Sequence, residues 1–154
     1  MSETMTADLK LIIFLLKDKE YAIPVSQVRS IEKVQHITRV PGAASSVKGV
    51  INLRGVVTPV IDLRTRFGLE QKEYSDSTRV IIASADEMEV GLVVDGANDV
   101  IDVSEDSIEP SPNVIGAEEA EFISGVVKVE KRLLILIDLG KILEGGEMKL
   151  AGHE

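Results

Sequence analysis

Apolar residues along this chain come in short blocks rich in branched side chains: LIIFLL (11–16), GVINL (49–53), VVTPVIDL (56–63), VIIA (80–83), VGLVV (90–94) and LLILIDL (133–139). Charged or glycine-bearing turns part them, and the ~3.6-residue period of a surface helix is almost absent, so the pattern predicts strands. The clearest hairpin is GVINLRGVVTPVIDL (49–63), with Val50, Ile51 and Leu53 leading in and Val56, Val57, Val60 and Ile61 leading out. Gly55 suits a turn that needs positive φ. The turn does not explain the arginine beside it, Arg54.

The chain also matches itself. GVINLRGVVTPVIDL lies without a gap over GVVKVEKRLLILIDL (125–139) at an offset of 76. Upstream, EYAIPVSQVRSIEKV (20–34) lies over EVGLVVDGANDVIDV (89–103) at an offset of 69, after which Pro41 meets Pro110. The difference falls in the connection 111–124, longer and richer in Glu than its counterpart. Each unit reads as a strand (11–16; 80–83), a charged turn (17–19; 86–87), a return strand, an extended stretch, a proline-bearing loop, and a glycine-led hairpin ending in Ile-Asp-Leu. This predicts an all-β fold of two similar small antiparallel barrels. Lobe one is expected at about 11–68 and lobe two at about 78–144, with tails 1–8 and 145–154 and a polar seam GLEQKEYSDS (68–77). Lobes of roughly 65 residues are marginal alone, so they are expected to pack on a shared core. With aromatics at 3%, that core is expected to be aliphatic.

Asp62 and Asp138 occupy the same place in the two units, each before a short helical pattern, 63–67 and 139–143. A carboxylate there accepts hydrogen bonds from the free N–H groups of a first helical turn, so both are read as caps rather than as catalytic acids. Arg54, by contrast, aligns with Glu130, and Gly55 with Lys131. The topology therefore closes an equivalent hairpin without Arg-Gly, which leaves Arg54 either as a solvated tip or as a contact for a partner.

Composition removes several classes of function. There is no cysteine, hence no disulfide or thiolate chemistry. No apolar run is long enough to span a bilayer, and MSETMTADLK does not read as a signal peptide, so a cytoplasmic protein is expected. The net charge of −9 is uneven: residues 1–77 carry +2 and residues 78–154 carry −11. Such a second half repels phosphate backbones and anionic lipid, so neither nucleic acid nor direct membrane insertion is expected; its acidity either solvates the surface or steers a basic partner. His36 and His153 sit beside no convincing nucleophile, and neither a phosphate loop, a dinucleotide fingerprint nor a metal-spaced histidine pair is present. The acidic group Asp102, Glu105, Asp106 and Glu109 lacks the alternation and central glycine of a calcium loop. No catalytic residues, metal or cofactor are therefore expected.

Three stretches, KGVINLRGVVTPVIDLR (48–64), KEYAIPVSQVRSIEKV (19–34) and MEVGLVVDGANDVIDV (88–103), together resemble the CheW family of bacterial chemotaxis coupling proteins. The resemblance runs from about 11 to 143 in order, and its NLRG element is specific. Related folds occur in the regulatory domain of the histidine kinase CheA and in CheV; these 154 residues hold neither kinase nor receiver domains, so a free-standing adaptor is expected.

The resemblance implies two five-stranded, SH3-like barrels and a non-catalytic scaffold that couples the cytoplasmic tips of methyl-accepting chemoreceptors to the CheA regulatory domain. It implies a chain that is monomeric in isolation and recruited to membrane-associated receptor arrays. In the family the receptor tip binds a groove between the lobes, and the matching positions are Val25, Val28, Gly49, Arg54 and Val100. Val25 and Val28 can equally be core residues: three apart on one strand, they face opposite sides unless Pro24 or a bulge bends the chain. The kinase surface is assigned to the end of the second barrel, with its residues unknown. The alternative is a ligand-binding or enzymatic double barrel that uses the inter-lobe groove as a pocket.

Overall fold

The computed structural model describes residues 8–42, 47–70, 72–85, 88–110 and 122–143. The expected turn at 86–87, most of the long connection at 111–124, His153 and nearly all of both tails lie outside these residues. The strands are β1 (Asp8–Leu16), β2 (Lys19–Pro24), β3 (Val28–Lys33), β4 (Val47–Leu53), β5 (Val56–Asp62), β6 (Arg79–Ala85), β7 (Met88–Val94), β8 (Gly96–Ser104), β9 (Ile108–Glu109), β10 (Ile123–Val129) and β11 (Arg132–Ile137). Helices α1 (Leu63–Arg66) and α2 (Leu139–Ile142) follow β5 and β11, each one residue shorter than its sequence pattern. No helix among the described residues is long and apolar enough to cross a membrane.

The strands form two sheets, ordered β8-β1-β2-β11-β10-β9 and β3-β6-β7-β5-β4. The second sheet is one continuous run of chain, while the first joins the opening hairpin β1–β2 to the closing strands β8–β11. The sheets thus do not follow two consecutive lobes at 11–68 and 78–144. Each repeat lends its first hairpin to the other repeat's sheet, joined on one side by the antiparallel pairs β1–β8 and β3–β6 and on the other by the parallel pairs β2–β11 and β5–β7. Pairings between segments far apart in the chain leave little trace in a linear pattern, which is why the sequence suggests simple lobes.

Neither sheet closes into a hydrogen-bonded barrel, yet both curl. In the first sheet the end strands β8 and β9 are separated by only the 3₁₀ turn Glu105–Ser107, so the two edges have to meet. In the second sheet the stretch after β3 crosses to the far edge, where Thr38 and Val50 exchange backbone hydrogen bonds of 2.9 and 2.8 Å. Among the described residues the second sheet has the expected five strands and the first has six, because β9 is the lengthened equivalent of the Thr38 bridge.

Side chains alternate across these strands and fill three layers. Ile51, Val60, Val80, Ile82 and Val93 fill the curl of the second sheet, and Leu11, Ile13, Val127, Leu134 and Leu136 that of the first. Between the sheets lies the expected shared core, with Ile12, Ile23, Ile61, Ile81, Leu92 and Ile137 among its members. It is not purely aliphatic: Phe14, Tyr21, Phe67 and Phe122 form a file with successive ring centroids 5.7, 5.6 and 5.6 Å apart. Four of the chain's five aromatic residues are spent there. Ring pairs at such spacing add a specific aromatic attraction to the area they bury.

Both aspartates cap as expected. Asp62 Oδ1 accepts from the N–H of Arg64 at 2.9 Å, and Asp138 Oδ1 from that of Lys141 at 3.1 Å.

Candidate interaction surface

Among the described residues the chain passes from sheet to sheet at two places, between β2 and β3 and between β7 and β8. The first crossing is a single 3₁₀ turn, Val25–Gln27, entered from Pro24 and closed by a hydrogen bond from the N–H of Val28 to the carbonyl of Val25. In a 3₁₀ turn residues three apart eclipse. Val25 and Val28 therefore fall on the same side, which resolves the strand-facing objection, and both pack partly buried against the shared core. A β-bulge between Val28 and Ser30 adds to the bend.

Val100 reaches the same layer from the other sheet. It pairs across the strands with Ile12, which pairs with Ile23, so the three form one row on the face of the shared core. Val100 is the edge of that row and is 53% exposed. Arg54 sits at the β4–β5 tip with its side chain 74% exposed, 3.6 Å from the carboxylate of Glu32 on β3. That strand begins at Val28, so Arg54 lies about 13 Å along β3 from the valines, at ~3.3 Å per residue.

The turn at Arg54 is more demanding than its sequence suggests. Arg54 has φ of 52° and Gly55 of 86°, a two-residue turn with both central residues left-handed, and Asn52 Oδ1 accepts from the N–H of Gly55 at 2.8 Å. Asn or Gly is the usual occupant of such a first position, and any other residue costs backbone energy. Glu130 has φ of 55° in the equivalent turn. The fold thus adopts the conformation twice and carries an arginine in only one of the two turns.

Gly49 is not brought to this surface. It is buried, with φ of 150°, and a Cβ built on it would lie 2.1 Å from the carbonyl oxygen of Thr38. Its repeat mate Gly125 meets the carbonyl of Glu109 at 2.5 Å in the same way. Both follow a bulge, between Val47 and Gly49 and between Ile123 and Gly125. Gly49 therefore has a packing reason to be glycine that needs no partner.

Sequence reasoning missed three features. Ile31, 41% exposed, is the repeat mate of Val100 and ends the matching row Ile31–Ile81–Leu92 of the other sheet; the offset of 69 already pairs the two positions. A depression of about 450 Å³ opens at the end of the first sheet among Lys19, Glu20, Arg132, Leu133 and Ile135. There Arg132 bonds Glu20 at 2.9 and 3.1 Å and reaches Asp99 at 3.3 Å. Leu133, 45% exposed, has as its mate Val57, 62% exposed at the end of the second sheet.

The third is a largely buried ion pair at the second crossing. Arg64 Nη2 lies 2.7 Å and Nε 2.9 Å from the carboxylate of Asp95, with the side chains 11% and 15% exposed, and Nη1 donates to the carbonyl of Glu70 at 2.8 Å. Asp95 also accepts from the N–H of Lys17 at 2.8 Å and donates its own N–H to Leu15. Burial raises the Asp95 carboxyl, but the Arg64 hydrogen bonds, the Lys17 N–H and the charges of Arg64 and Lys72 outweigh it and hold the group below the usual carboxylate range. The hydrogen bond to Asp95, against the opposing effect of burial, raises Arg64 above an ordinary arginine. Of the acidic group in the second half, Asp102 pairs with Lys10 at 3.0 Å on adjacent strands, and Ser104 caps the turn at Asp106.

Comparison with known proteins agrees with this architecture. Residues 10–147 match the family model described as CheW-like domain. The chain is 51% identical to the chemotaxis protein CheW of Bacillus subtilis strain 168, over 91% of this chain and 92% of that protein. It is 36% identical to the chemotaxis protein CheW of Klebsiella aerogenes, over 96% and 89%. The crystal structure of the scaffolding protein TtCheW from Thermoanaerobacter tengcongensis superposes with a TM-score of 0.86 at 32% identity, covering 94% of this chain and 99% of that one. With two curled sheets on a shared core, a match along nearly the whole chain and half its residues in common with a curated member, the chain belongs to the CheW family of chemotaxis proteins.

Proposed function

We propose that this protein is a non-catalytic chemotaxis scaffold that couples the cytoplasmic tips of chemoreceptors to the histidine kinase CheA. The observation that carries the reading is Arg54, an exposed cation held in a strained turn that the repeat closes equally well with glutamate. A backbone cost kept where the fold does not need the side chain points to a use outside the fold. A receptor tip is a helical hairpin. Val25, Val28 and Val100 offer it an apolar border of the shared core, and Arg54 a cation for a carboxylate or carbonyl at the rim.

Coupling needs more than one surface. The first-sheet depression beside Leu133 is the proposed seat of the kinase regulatory domain, and its repeat-related counterpart around Val56 and Val57 gives the second sheet an exposed apolar end of its own. The setting is the cytoplasm, at membrane-associated receptor arrays. The ligand-pocket alternative gains no support, because the space between the sheets is filled by the aromatic file and its aliphatic neighbours.

Titration of the folded protein with a receptor-tip fragment and, separately, with a CheA regulatory domain tests the reading. Saturable binding of both is expected; failure to bind either overturns it.

A further inference from the structure

The two crossings between the sheets are the same point of the repeat, since Val25 aligns with Val94 and Ser26 with Asp95. At the first crossing Ser26 is exposed, and Val25 and Val28 border the inter-sheet layer. At the second, one carboxylate is gripped from both sheets: Lys17, in the β1–β2 turn, donates to it from the first, and the fork of Arg64, in α1, from the second. A planar guanidinium bound by two nitrogens fixes orientation as well as distance. The repeat does not require it. Arg64 aligns with Gly140, so the equivalent helix forms without an arginine. A buried ion pair is poor evidence of added stability and is better attested as a device that selects one arrangement over others.

We propose that Arg64 and Asp95 are a positioning pair: by tying α1 of the second sheet to the first turn of the first sheet, they set the angle between the sheets and so the shape of the groove bordered by Val25, Val28 and Val100. The inference rests on the reading of that groove as the receptor-tip site. With two crossings among the described residues, an arrangement fixed at one is passed to the other through the two sheets.

The absence of cysteine makes the angle measurable. Spin labels on Lys33→Cys in β3 and Lys128→Cys in β10, both exposed positions, report one sheet-to-sheet distance. A single narrow distribution is expected for the otherwise unaltered protein. Arg64→Lys keeps the charge and loses the fork; the distribution is expected to broaden and the affinity for a receptor-tip fragment to fall about tenfold, within the usual range of coupling between sites. Asp95→Asn keeps an acceptor for Lys17 and Arg64 and is expected to show a smaller change in both readouts. Arg54→Glu provides the contrast, with weaker binding and an unchanged distance. A narrow, unshifted distribution in a folded Arg64→Lys variant overturns the proposal, as does an affinity loss without broadening, or unfolding of both variants at the second crossing. Unaltered protein that does not bind the receptor fragment overturns the functional reading instead, and the distance distribution still decides whether the pair sets the sheets.

Discussion

The guanidinium of Arg66 donates from Nε and Nη2 to the carbonyl oxygen of Ile142, at 3.0 and 2.8 Å, and Ile142 stands in Arg66's own place in the second repeat, 76 residues on. Only at the pseudo-twofold axis can a residue touch its own equivalent, so that axis passes between α1 and α2. The same guanidinium lies 4.6 Å from the centroid of Phe122, the last ring of the aromatic file. At that axis the two repeats meet through an unlike pair, an arginine and an isoleucine.

This interlocking predicts complementation. Residues 1–72 contain β1 to β5 without β6 and β7, and residues 73–154 contain the first sheet's later strands without its opening hairpin. Each fragment is expected to be largely disordered alone, and an equimolar mixture to recover β-sheet circular dichroism with one melting transition. Cooperative melting of a fragment by itself would show that a half can build its own core.

Arg54 separates binding from folding. Arg54→Glu sets a carboxylate near Glu32, a repulsion of at most about 0.5 kcal/mol at this exposure. Its melting temperature is expected to shift little. Receptor affinity is expected to fall roughly 30-fold, the equivalent of about 2 kcal/mol at a binding hot spot. Arg54→Gly relieves the φ of 52° and is expected to raise stability while losing affinity similarly. Titration and melting of one preparation check both, and unchanged affinity in Arg54→Glu returns the residue to the role of a solvated tip.

Gly49→Ala and Gly125→Ala are expected to destabilise strongly, by about 2–4 kcal/mol, because the new methyl meets a backbone carbonyl that can yield only by breaking its edge pairing. Gly55→Ala faces open space and is expected to cost only its positive φ, about 1 kcal/mol. Urea midpoints rank the three. A Gly49→Ala protein as stable as the parent but defective in receptor binding would restore Gly49 to the binding surface.

Acid weakens the second crossing. The folded value of Asp95 lies below its unfolded value, so its contribution is complete above about pH 4 and is lost as pH falls through the folded value, where the unfolded chain binds the proton more readily. Urea midpoints of the parent are expected to drop more steeply below pH 4 than those of Asp95→Asn. Parallel curves would show that the carboxylate contributes nothing there.

Features set by neighbouring residues were legible before the fold: the Ile-Asp-Leu caps, the strands, the shared core and the bend after Pro24. The exchange of hairpins was not, because the pairings that hold it, β1 with β8 and β2 with β11, join segments from opposite ends of the chain that no local pattern links. Arg64 looked like any residue in a first helical turn, and its partner stands 31 positions away on a crossing that no local pattern marks. Ile31 was within reach, since the offset that aligns the repeats already set it over Val100. Gly49 shows the reverse: family resemblance suggested a contact, while its alignment with Gly125 held the packing explanation.

The nesting of the second sheet within the first also orders events during synthesis. The hairpin Asp8–Pro24 is synthesised before the other described strands, yet its sheet gains a third strand only with β8 and is completed only when β11 has been made. Meanwhile Val28–Val94 supplies every strand of the other sheet. A hairpin made before the other described strands is thus among the last to be seated, and until then Ile12, Phe14, Tyr21 and Ile23 lack part of their final cover and stay open to aggregation.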